Sequence, residues 1–559
     1  MKYFKAYKAD GTRIPTYFIE STAPDNVDDT ENIDDTDKEM PSEVRAKLKH
    51  FKDSDDAVKE IADVLANGAN PNLVVMVHGF NNPEPAVLKM YTAAAEAIQR
   101  DDKIPGEQGL VCVGYRWPSE KMGAPAPASW SALPILPTRV LYAGAAIFVL
   151  ASPVFYLVWV FTGKWPEFLV SVFAHLLTLV GLIAAGLILM AVLLRVIVYF
   201  RDNYRASNYG VPDLIQIIRA IDRKVVERRR ARGQKDEPDQ RVQLSFIGHS
   251  MGGFLVTNTI RTLTDVFKHP VEALNHFGAD APPPGRHLKT IGTVFELKRF
   301  VLASPDIPAE ALLSDRGNFL ASSLSRFDEA YLFSNEGDEV LRQISTLANY
   351  FVFPTKSRDY GFRLGNVEIL SSSFGLIKPA ENDFLGTLRV GNLTLQQLYD
   401  KLEDAEASRH RIARTKRVPR LPAAFSYFDC TDYVDQNNDG EPGQKLLTFA
   451  KCLKHKEGNP KARLSFGSHL QLLYAYVVDH KPNVHGGYFE GLLSQQLIYR
   501  LACLGYDATK AAYGGESLLG KACADKQIRV LLSPLLAAGQ SVRSETADAV
   551  SPAPAARSS

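Results

Sequence analysis

One short stretch near the middle of the chain constrains the fold more than any other. An apolar run, Leu244–Ile247, leads directly into Gly-His-Ser-Met-Gly at positions 248–252, and an apolar segment with helical spacing follows from Phe254. A strand, then Gly-x-Ser-x-Gly, then a helix is typical of a nucleophile elbow, in which a serine stands at the tip of a sharp, strained turn. The glycines leave room for the crowded neighbours of such a turn. We therefore predict that Ser250 is a nucleophile held between a strand and a helix.

The same pattern predicts where an oxyanion would be stabilised. The N-terminus of the helix behind the turn presents backbone N–H groups and the positive end of the helix dipole. We expect the N–H of Met251 to be one donor. Upstream, the β-branched run Leu73–Val77 is typical of a buried parallel strand, and it ends in His-Gly-Phe-Asn-Asn-Pro at positions 78–83. We expect the N–H of Phe80, in this second loop, to be the other donor.

Two long apolar segments interrupt the pattern. Val140–Phe161 has no charged residue and Phe168–Leu194 has only His175 among its polar-ionisable side chains. Each exceeds the roughly 20 residues that a helix needs to cross a bilayer. Between them stands a tight polar break, Lys-Trp-Pro-Glu at positions 164–167. The sequence therefore predicts a transmembrane hairpin of two helices, with the bilayer as a partner; the alternative is a buried helical pair in a soluble domain.

Basic residues flank this hairpin on one side. Arg139, Arg195, Arg201 and Arg205 lie at its outer ends, against one lysine in its short loop. Cytoplasmic flanks of membrane helices carry an excess of Lys and Arg. We therefore predict that the chain is an integral membrane protein whose catalytic domain is cytoplasmic.

Composition excludes several other classes. Basic and acidic residues are balanced, 64 against 63, so no overall charge favours nucleic acid as a partner. The five cysteines form no Cys-x-x-Cys pair, and we expect neither a metal nor an organic cofactor. Asp435–Gly440 matches the opening of a calcium loop, but its twelfth position is Leu446 and Pro442 intrudes, which favours a plain turn. The sequence does not indicate protein partners or an oligomeric state.

Five motifs together resemble a bacterial branch of the α/β-hydrolase superfamily, whose members are mostly of unassigned function. They are V-H-G-F-N-N at 77–82, R-W-P-S at 116–119, G-H-S-M-G at 248–252, A-S-P-D-I at 303–307 and H-G-G-Y-F at 485–489. The resemblance covers most of residues 70–350 and 425–505, and it implies serine-hydrolase chemistry. It stops at the apolar hairpin and at an insertion near residues 365–420, so the substrate stays open.

A serine hydroxyl needs a base to remove its proton, and the base needs a third group to fix its tautomer. In α/β hydrolases the acid follows the serine and the histidine comes last. Asp338 fits the acid, because it follows a predicted strand at Glu329–Phe333 and precedes a helix. Asp306 also follows a predicted strand and is the second candidate; Glu336 is the third. Each of them has an alternative role as a helix N-cap.

The base is sought among the histidines beyond the acid. These are His410, His455, His469, His480 and His485. His485 lies in the loop Asn-Val-His-Gly-Gly at positions 483–487, whose glycines allow close approach, and a helix is predicted after it at 491–504. His469 and His480 lie in or beside more regular segments and are interpreted as surface or packing residues. We therefore predict a triad of Ser250, Asp338 and His485.

These predictions combine into one interpretation. The fold class is α/β, an α/β-hydrolase domain with a mostly parallel sheet and helices on both faces, carrying an inserted membrane hairpin. Residues 1–138 and 201–540 form the domain, 139–200 the hairpin, and 541–559 a disordered tail. The expected function is a membrane-anchored serine esterase or lipase that cleaves lipid or small carboxylic esters. Two alternatives are a catalytically silent membrane scaffold, and a peptidase or thioesterase with the same triad.

Overall fold

The structure is a computed structural model of the 559-residue chain. The described residues are 4–24, 41–106, 109–119, 157, 160–161, 173, 176, 196–233, 240–267, 290–313, 323, 326–346, 361–379, 383–410, 420–435, 444–448, 464–475 and 482–537.

Strands and helices alternate along most of the described chain. The strands are β1 Phe4–Ala9, β2 Thr16–Ser21, β3 Leu48–His50, β4 Asn72–Val77, β5 Leu110–Arg116, β6 Val242–His249, β7 Thr290–Ile291, β8 Phe295–Ala303, β9 Glu329–Ser334, β10 Glu368–Ile369, β11 Gly375–Ile377, β12 Leu388–Val390, β13 Leu393–Thr394, β14 Phe425–Asp429, β15 Val434–Asp435, β16 Gln444–Lys445 and β17 Arg529–Leu531. The α-helices are α1 Ser42–Arg45, α2 Ser54–Asn67, α3 Glu84–Arg100, α4 Val211–Ala231, α5 Met251–Phe267, α6 Leu395–His410, α7 Arg420–Ala423, α8 Phe466–Tyr474, α9 Leu492–Cys503, α10 Tyr506–Ala512, α11 Glu516–Asp525 and α12 Pro534–Ala537.

One large sheet organises these elements. In the described residues its strand order is β11-β17-β14-β9-β8-β6-β4-β5-β2-β1-β3, with β7 beside β8. The seven neighbours from β14 to β2 are all parallel to one another, whereas β1, β3 and β17 run antiparallel to their partners β2, β1 and β14. The carboxyl ends of the seven parallel strands therefore meet at one edge of the sheet. The expected α/β class with a mostly parallel sheet is confirmed.

The parallel strands are apolar on both faces because helices cover the sheet. Every residue of β4 and β5 is buried. Val74 and Met76 share a core with the apolar residues of α3 and α9, and alternation turns Leu73 and Val75 to the opposite face. Helices α2, α4 and α5 pack in a row, and α5 also lies against β4 and β6. The run Leu73–Val77, predicted to be a buried parallel strand, is confirmed.

The chain order of the strands creates a crevice at the centre of the sheet. From β4 the chain moves to β5 on one side, and it returns to β6 on the other side of β4. In open α/β sheets, ligands bind outside the carboxyl ends of the strands at such a reversal. The loop after β4 and the turn after β6 therefore flank the place where a ligand is expected.

The edges of the sheet differ from the sequence interpretation. The pattern of residues 1–20 predicts one or two edge strands joined at Asp10-Gly11, but β2 pairs with β5 and lies inside the sheet, while β3 forms the border. The strand predicted as the last one, Phe425–Phe428, is β14, and β17 and β11 extend the sheet beyond it. Part of the expected insertion at 365–420 thus belongs to the sheet. Three-residue strands such as β11 and β17 are too short to give a periodic signal.

The chain divides into two compact units, one of residues 1–120 with 202–559 and the other of residues 121–201. The second contains the hairpin predicted for 139–200. Most of that hairpin, like the tail 541–559, lies outside the described residues. Within Val140–Leu194 the described residues are helical and expose 47 to 86% of their surface; they are Leu157, Val160, Phe161, Phe173 and Leu176. In the described part of the chain, no helix has both the length and the apolar character to cross a membrane.

Candidate active site

The turn after β6 has the geometry of a nucleophile elbow. Ser250 follows β6 directly, α5 begins at Met251, and the serine has a φ of +55°, a left-handed conformation that non-glycine residues seldom adopt. The serine backbone is held on both sides, since its N–H donates to Ala303 O (3.0 Å) and its carbonyl accepts from the N–H of Asp306 (3.2 Å). The strain is thus maintained by the neighbouring strand β8 and the loop after it.

Glycines make this turn possible by removing side chains where backbones meet. A Cβ atom at Gly248 would lie 2.6 Å from the Cα of Gly253. A Cβ at Gly252 would collide with the carbonyl oxygen of Val77, the last residue of β4. A Cβ at Gly79 would lie 2.8 Å from the Cβ of Ser250. The start of α5 and the loop after β4 therefore approach each other at backbone distance.

The two predicted oxyanion donors lie on these two segments. Met251 is the first residue of α5, so its N–H is among the groups at a helix N-terminus that have no partner within the helix. Phe80 follows Gly79, the residue that faces Ser250, and its side chain is buried. Both positions are compatible with an oxyanion hole beside the serine.

Asp338 and His485 form a close pair, 147 positions apart in the sequence. His485 Nδ1 lies 2.7 Å from Asp338 Oδ2, and the carboxylate is fully buried at the end of the loop after β9. A carboxylate accepts, so Nδ1 carries the proton and Nε2 is the basic nitrogen of the neutral ring. His485 lies in the loop before α9, as the sequence predicted.

Two further residues complete the surroundings of Asp338. Ser304 Oγ donates to the same Oδ2 at 2.7 Å, and it lies 3.1 Å from the hydroxyl of Tyr488. The other oxygen, Oδ1, accepts from the N–H of Leu341 at 3.2 Å. These hydrogen bonds stabilise a buried negative charge. Sequence reasoning missed Ser304 and Tyr488. Ser304 directly follows β8 and has a φ of +43°; a serine just after a predicted strand and close to a candidate acid is the signal that was available.

A second histidine links this pair to the serine. His249 precedes Ser250, and its Nε2 lies 3.0 Å from the carbonyl oxygen of His485. The two imidazole rings have centroids 4.9 Å apart. Ser250 Oγ and His485 Nε2 are both buried, and neither has a hydrogen-bond partner among the described residues. His249 thus places His485 next to the segment that carries Ser250, but Ser250 Oγ and His485 Nε2 do not hydrogen-bond to each other in this structure.

The other acid candidates have different partners. Asp306 Oδ1 lies 3.1 Å from Arg363 Nε, in a fully buried ion pair without good hydrogen-bond geometry, and Oδ2 accepts from Ser345 Oγ at 3.1 Å. The oxygens of Glu336 accept from the N–H of Leu464, at 3.2 and 3.3 Å. Neither carboxylate contacts His485 through these bonds, so Asp338 is the acid that the geometry favours.

A separate histidine–acid pair lies directly beside the first. Glu339 follows Asp338, and its Oε1 lies 2.6 Å from Nδ1 of His469, in α8. His469 is buried, so its interpretation as a packing residue rather than a surface residue fits. The other histidines considered, His455 and His480, lie outside the described residues, as does the side chain of His410.

Burial keeps two histidines of this region neutral. Desolvation lowers the pKa of His78, at the end of β4, to about 3. Its Nδ1 donates to Gly79 O (2.7 Å) and its Nε2 accepts from the N–H of Trp117 (3.3 Å), so a second proton would remove an acceptor as well as add a buried charge. Desolvation, with the nearby His485 as a second cause, lowers the pKa of His249 to about 3.

Two other features lie away from this site. A cavity of about 450 Å³ opens at the amino ends of β4, β5 and β6, the opposite edge from Ser250, and is lined by residues such as Asn72, Leu110 and Arg299. Asp435, the first residue of the calcium-like sequence, accepts from the N–H of Leu493 at 2.8 Å, and 436–440 lie outside the described residues. The described residues also lack a metal-binding cluster: no group of three or more of their His, Cys, Asp or Glu side chains is placed to hold a metal ion.

No protein-family model, curated protein or solved structure matches this chain. The assignment of chemistry therefore depends on the geometry of the residues.

Replacing Asp338 is expected to lower activity, whereas replacing Asp306 is expected to lower stability. Asp338→Asn keeps the shape but favours the wrong tautomer of His485, and loss of this acid in a serine protease lowers kcat about 10⁴-fold. Asp306→Asn leaves Arg363 buried without its counter-charge, which costs about 3–5 kcal/mol of stability. Ester hydrolysis and thermal unfolding, measured on both variants, separate the two effects. The reverse ranking in kcat would move the acid to the loop after β8.

Replacing His78 is expected to change how stability depends on pH. Its folded pKa of about 3 lies below its unfolded value, so the unfolded chain binds more protons between these values and stability falls as pH falls through that window. Below pH 6, the free energy of unfolding of His78→Gln should therefore rise relative to that of the wild type by at most about 1.4 kcal/mol for each pH unit. Unfolding at pH 7, 6 and 5 measures this difference. Variant and wild type must be compared with each other, because other groups also change stability over this range. Burial raises the pKa of Glu84 to about 7 and that of Asp213 to about 6, and these two carboxyls make the protein more stable as pH falls. If stability depends on pH in the same way in the variant and the wild type, the pKa of His78 is not lowered by folding.

Proposed function

We propose that this chain is a serine hydrolase of α/β-hydrolase fold, anchored in a membrane, that cleaves carboxylic esters through an acyl-enzyme on Ser250. One observation carries the proposal: Asp338 and His485 pair at 2.7 Å beside a serine that a strained strand-to-helix turn presents. The basic nitrogen of His485 and the hydroxyl of Ser250 make no hydrogen bond in the described residues, either to each other or to another group, so both are available for the reaction. A strained serine, a base and an orienting acid are the groups that acyl transfer requires, and the proposal needs Nε2 of His485 to come within hydrogen-bonding distance of Ser250 Oγ when substrate binds.

The steps follow from the residues. Ser250 Oγ attacks the ester carbonyl carbon, and its proton passes to Nε2 of His485. Asp338, hydrogen-bonded to Nδ1, stabilises the imidazolium that forms. The N–H groups of Phe80 and Met251 bind the oxyanion. His485 then gives its proton to the leaving alcohol, which leaves an acyl group on Ser250.

Water completes the cycle by the same groups in reverse order. His485 removes a proton from a water molecule, which attacks the acyl carbonyl, and the oxyanion again binds to the two N–H groups. Collapse of the intermediate releases the carboxylic acid, and His485 returns the proton to Ser250. The chain's own residues supply every proton transfer in this scheme.

The membrane part of the proposal is supported by the sequence of 139–200 and by the exposure of its described residues. Two uncharged or nearly uncharged runs are each long enough to cross a bilayer. Leu157, Phe161 and Phe173, within these runs, are helical and expose more than half of their surface. Exposed large apolar side chains are typical of surfaces that contact a membrane or another protein, so they support the proposal. The arginines that flank the runs favour a cytoplasmic catalytic domain.

The substrate class follows from this location. The β5 strand, after which the chain leaves for residues 121–201, ends at the same sheet edge as β4 and β6. Esters with long acyl chains concentrate at a membrane surface, so lipid esters are the substrates that an anchored enzyme of this kind meets at the highest local concentration. Short soluble esters test the chemistry without the membrane.

Labelling with a fluorophosphonate probe tests the nucleophile. The wild type should react covalently, and Ser250→Ala should not, because the probe bonds to an activated serine oxygen. Ser245→Ala, which removes another buried hydroxyl on β6, is the matched control and should label like the wild type. Equal labelling of wild type and Ser250→Ala would show that another residue reacts. Absence of labelling and of ester turnover in the wild type would favour a catalytically silent scaffold.

The anchor is tested by carbonate washing and by substrate chain length. Integral helices resist alkaline extraction, so the full chain should stay in the membrane pellet. Replacing residues 138–200 by a short Gly/Ser linker should preserve turnover of a short-chain p-nitrophenyl ester and lower turnover of a long-chain lipid ester by at least tenfold. Release by carbonate would contradict the anchor. Equal loss on both substrates would mean that the segment supports the fold rather than access to lipid.

A further inference from the structure

Residues on either side of the segment 121–201 meet each other beside the loop after β4. Ser119 lies just after β5, and Asp202 lies in the helical stretch 196–205 that leads to α4. Ser119 Oγ donates to Asp202 Oδ2 at 3.3 Å, and both side chains are fully buried. The chain therefore leaves the hydrolase domain and returns to it at one point.

Both residues also hold the backbone of the loop that carries Phe80. The N–H of Asn81 donates to Asp202 Oδ2 at 2.9 Å, and the N–H of Asn82 donates to Ser119 Oγ at 3.1 Å. Asn81 has a φ of +61°, in the left-handed region, which asparagine tolerates better than most residues but which is still sparsely populated outside glycine. A hydrogen bond to a buried carboxylate is stronger than one between neutral groups, and it stabilises this conformation.

The conformation of Asn81 and Asn82 contributes to the direction of the Phe80 N–H, together with His78, whose Nδ1 also donates to the Gly79 oxygen at 2.7 Å. The side chain of Asn82 turns back and donates to the carbonyl oxygens of Gly79 (3.2 Å) and Phe80 (2.9 Å). In a trans peptide, the carbonyl and the N–H point in opposite directions. The N–H of Phe80 therefore points away from the side on which Asn82 holds the Gly79 oxygen. Because Gly79 faces Ser250, a change in this peptide plane would misdirect a donor at the reaction centre.

We propose that Asp202 is a positioning residue for the oxyanion hole: its carboxylate fixes the Asn81 backbone and thereby aims the N–H of Phe80. The inference deepens the proposed function and depends on it. It also gives a role to the place where residues 121–201 rejoin the domain, because Asp202 and Ser119 stand at the two ends of that segment. If Asp202 had only a structural role, its replacement would lower stability but would not lower kcat of the protein that stays folded.

Asp202 has a second partner that must be separated from the first. Arg205 Nη1 lies 3.3 Å from Asp202 Oδ1, and both groups are buried. Asp202→Ala removes the acceptor and the ion pair together. Asp202→Asn keeps an oxygen that accepts from Asn81 but removes the charge. Arg205→Gln removes the ion pair and leaves the Asp202 carboxylate in place.

The experiment measures kcat and KM on a short soluble ester for these three variants of the full chain, below the melting temperature of each. Removing an oxyanion donor costs about 10²–10³-fold in kcat, and a misaimed donor should cost less. We expect Asp202→Ala to lower kcat about 10- to 100-fold, with KM within about twofold. Asp202→Asn should recover kcat to within about threefold of the wild type, and Arg205→Gln should match the wild type in kcat.

Hydrogen exchange gives a readout that does not require turnover. The Asn81 amide should be protected in the wild type and in Asp202→Asn, and should exchange at least tenfold faster in Asp202→Ala. If Asp202→Ala does not fold, the contrast between Asp202→Asn and Ser119→Ala carries the test; Ser119→Ala removes the acceptor for Asn82 and the hydroxyl that donates to Asp202, but leaves the carboxylate that accepts from Asn81. The Asn81 amide should stay protected in both variants, and a loss of kcat in Ser119→Ala alone would assign the positioning to Ser119 and overturn the role of Asp202.

The outcomes distinguish the two proposals. An active wild type with unchanged kcat in Asp202→Ala would overturn the positioning role and leave the hydrolase intact. Equal losses of kcat in Asp202→Ala and Arg205→Gln would assign the effect to the ion pair and overturn it as well. A wild type that neither hydrolyses esters nor reacts with the fluorophosphonate would remove both the hydrolase and the role of Asp202 in it.

Discussion

The close approach of two backbones at the centre of the sheet is the constraint on which the site depends. Gly252, in the first turn of α5, packs against the carbonyl oxygens of Val77 and His78, and Gly79 packs against Ser250. A side chain at either glycine would separate the helix from the end of β4. This contact brings a helix N-terminus and the loop that carries Phe80 to the same serine. The parallel pairing of β4 with β6 sets the register in which they meet.

The loop after β9 buries two negatively charged side chains, which is costly unless they have partners. Asp338 and Glu339 are adjacent and fully buried, and each pairs with a histidine from a distant part of the chain. A buried carboxylate is costly unless hydrogen bonds replace its water. Ser304 supplies one such bond to Asp338. The loop is therefore held by bonds to β8 and to the segments near residues 469 and 485, which also fixes the orientation of His485.

Local patterns predicted the centre of the molecule well, because the central elements are long and periodic. The buried run of β4, the strand before Ser250 and the helices α5 and α9 were all expected from the sequence. The pairing of Asp338 with His485 was also expected, and the structure brings these two residues together. The position of Asp338 after a strand predicted its place, because the carboxyl ends of parallel strands lie at one edge of the sheet, the edge at which Ser250 also lies.

What the sequence did not reveal are contacts between distant residues with ordinary local patterns. β17 has three residues, and its place between β14 and β11 is set by pairing alone. Ser304 and Asp202 are single polar residues whose importance comes from what they touch. Asp306 resembled Asp338 in every local respect, and its buried partner Arg363 became apparent only in three dimensions. Tertiary context decided each of these cases.

The position of β6 in the sheet has a consequence for the order in which the chain folds during synthesis. β4 and β5 pair with each other, yet the other edge of β4 is covered by β6, which is made only after residues 121–201. An unpaired apolar strand edge recruits other strands, and domains fold from the N-terminus as they emerge. The apolar segment is thus synthesised while the middle of the sheet is still open. A ribosome that pauses within it would leave the free edge of β4 exposed for longer, so this chain order makes the interval before β6 emerges the one in which the half-sheet is most open to pairing with other strands.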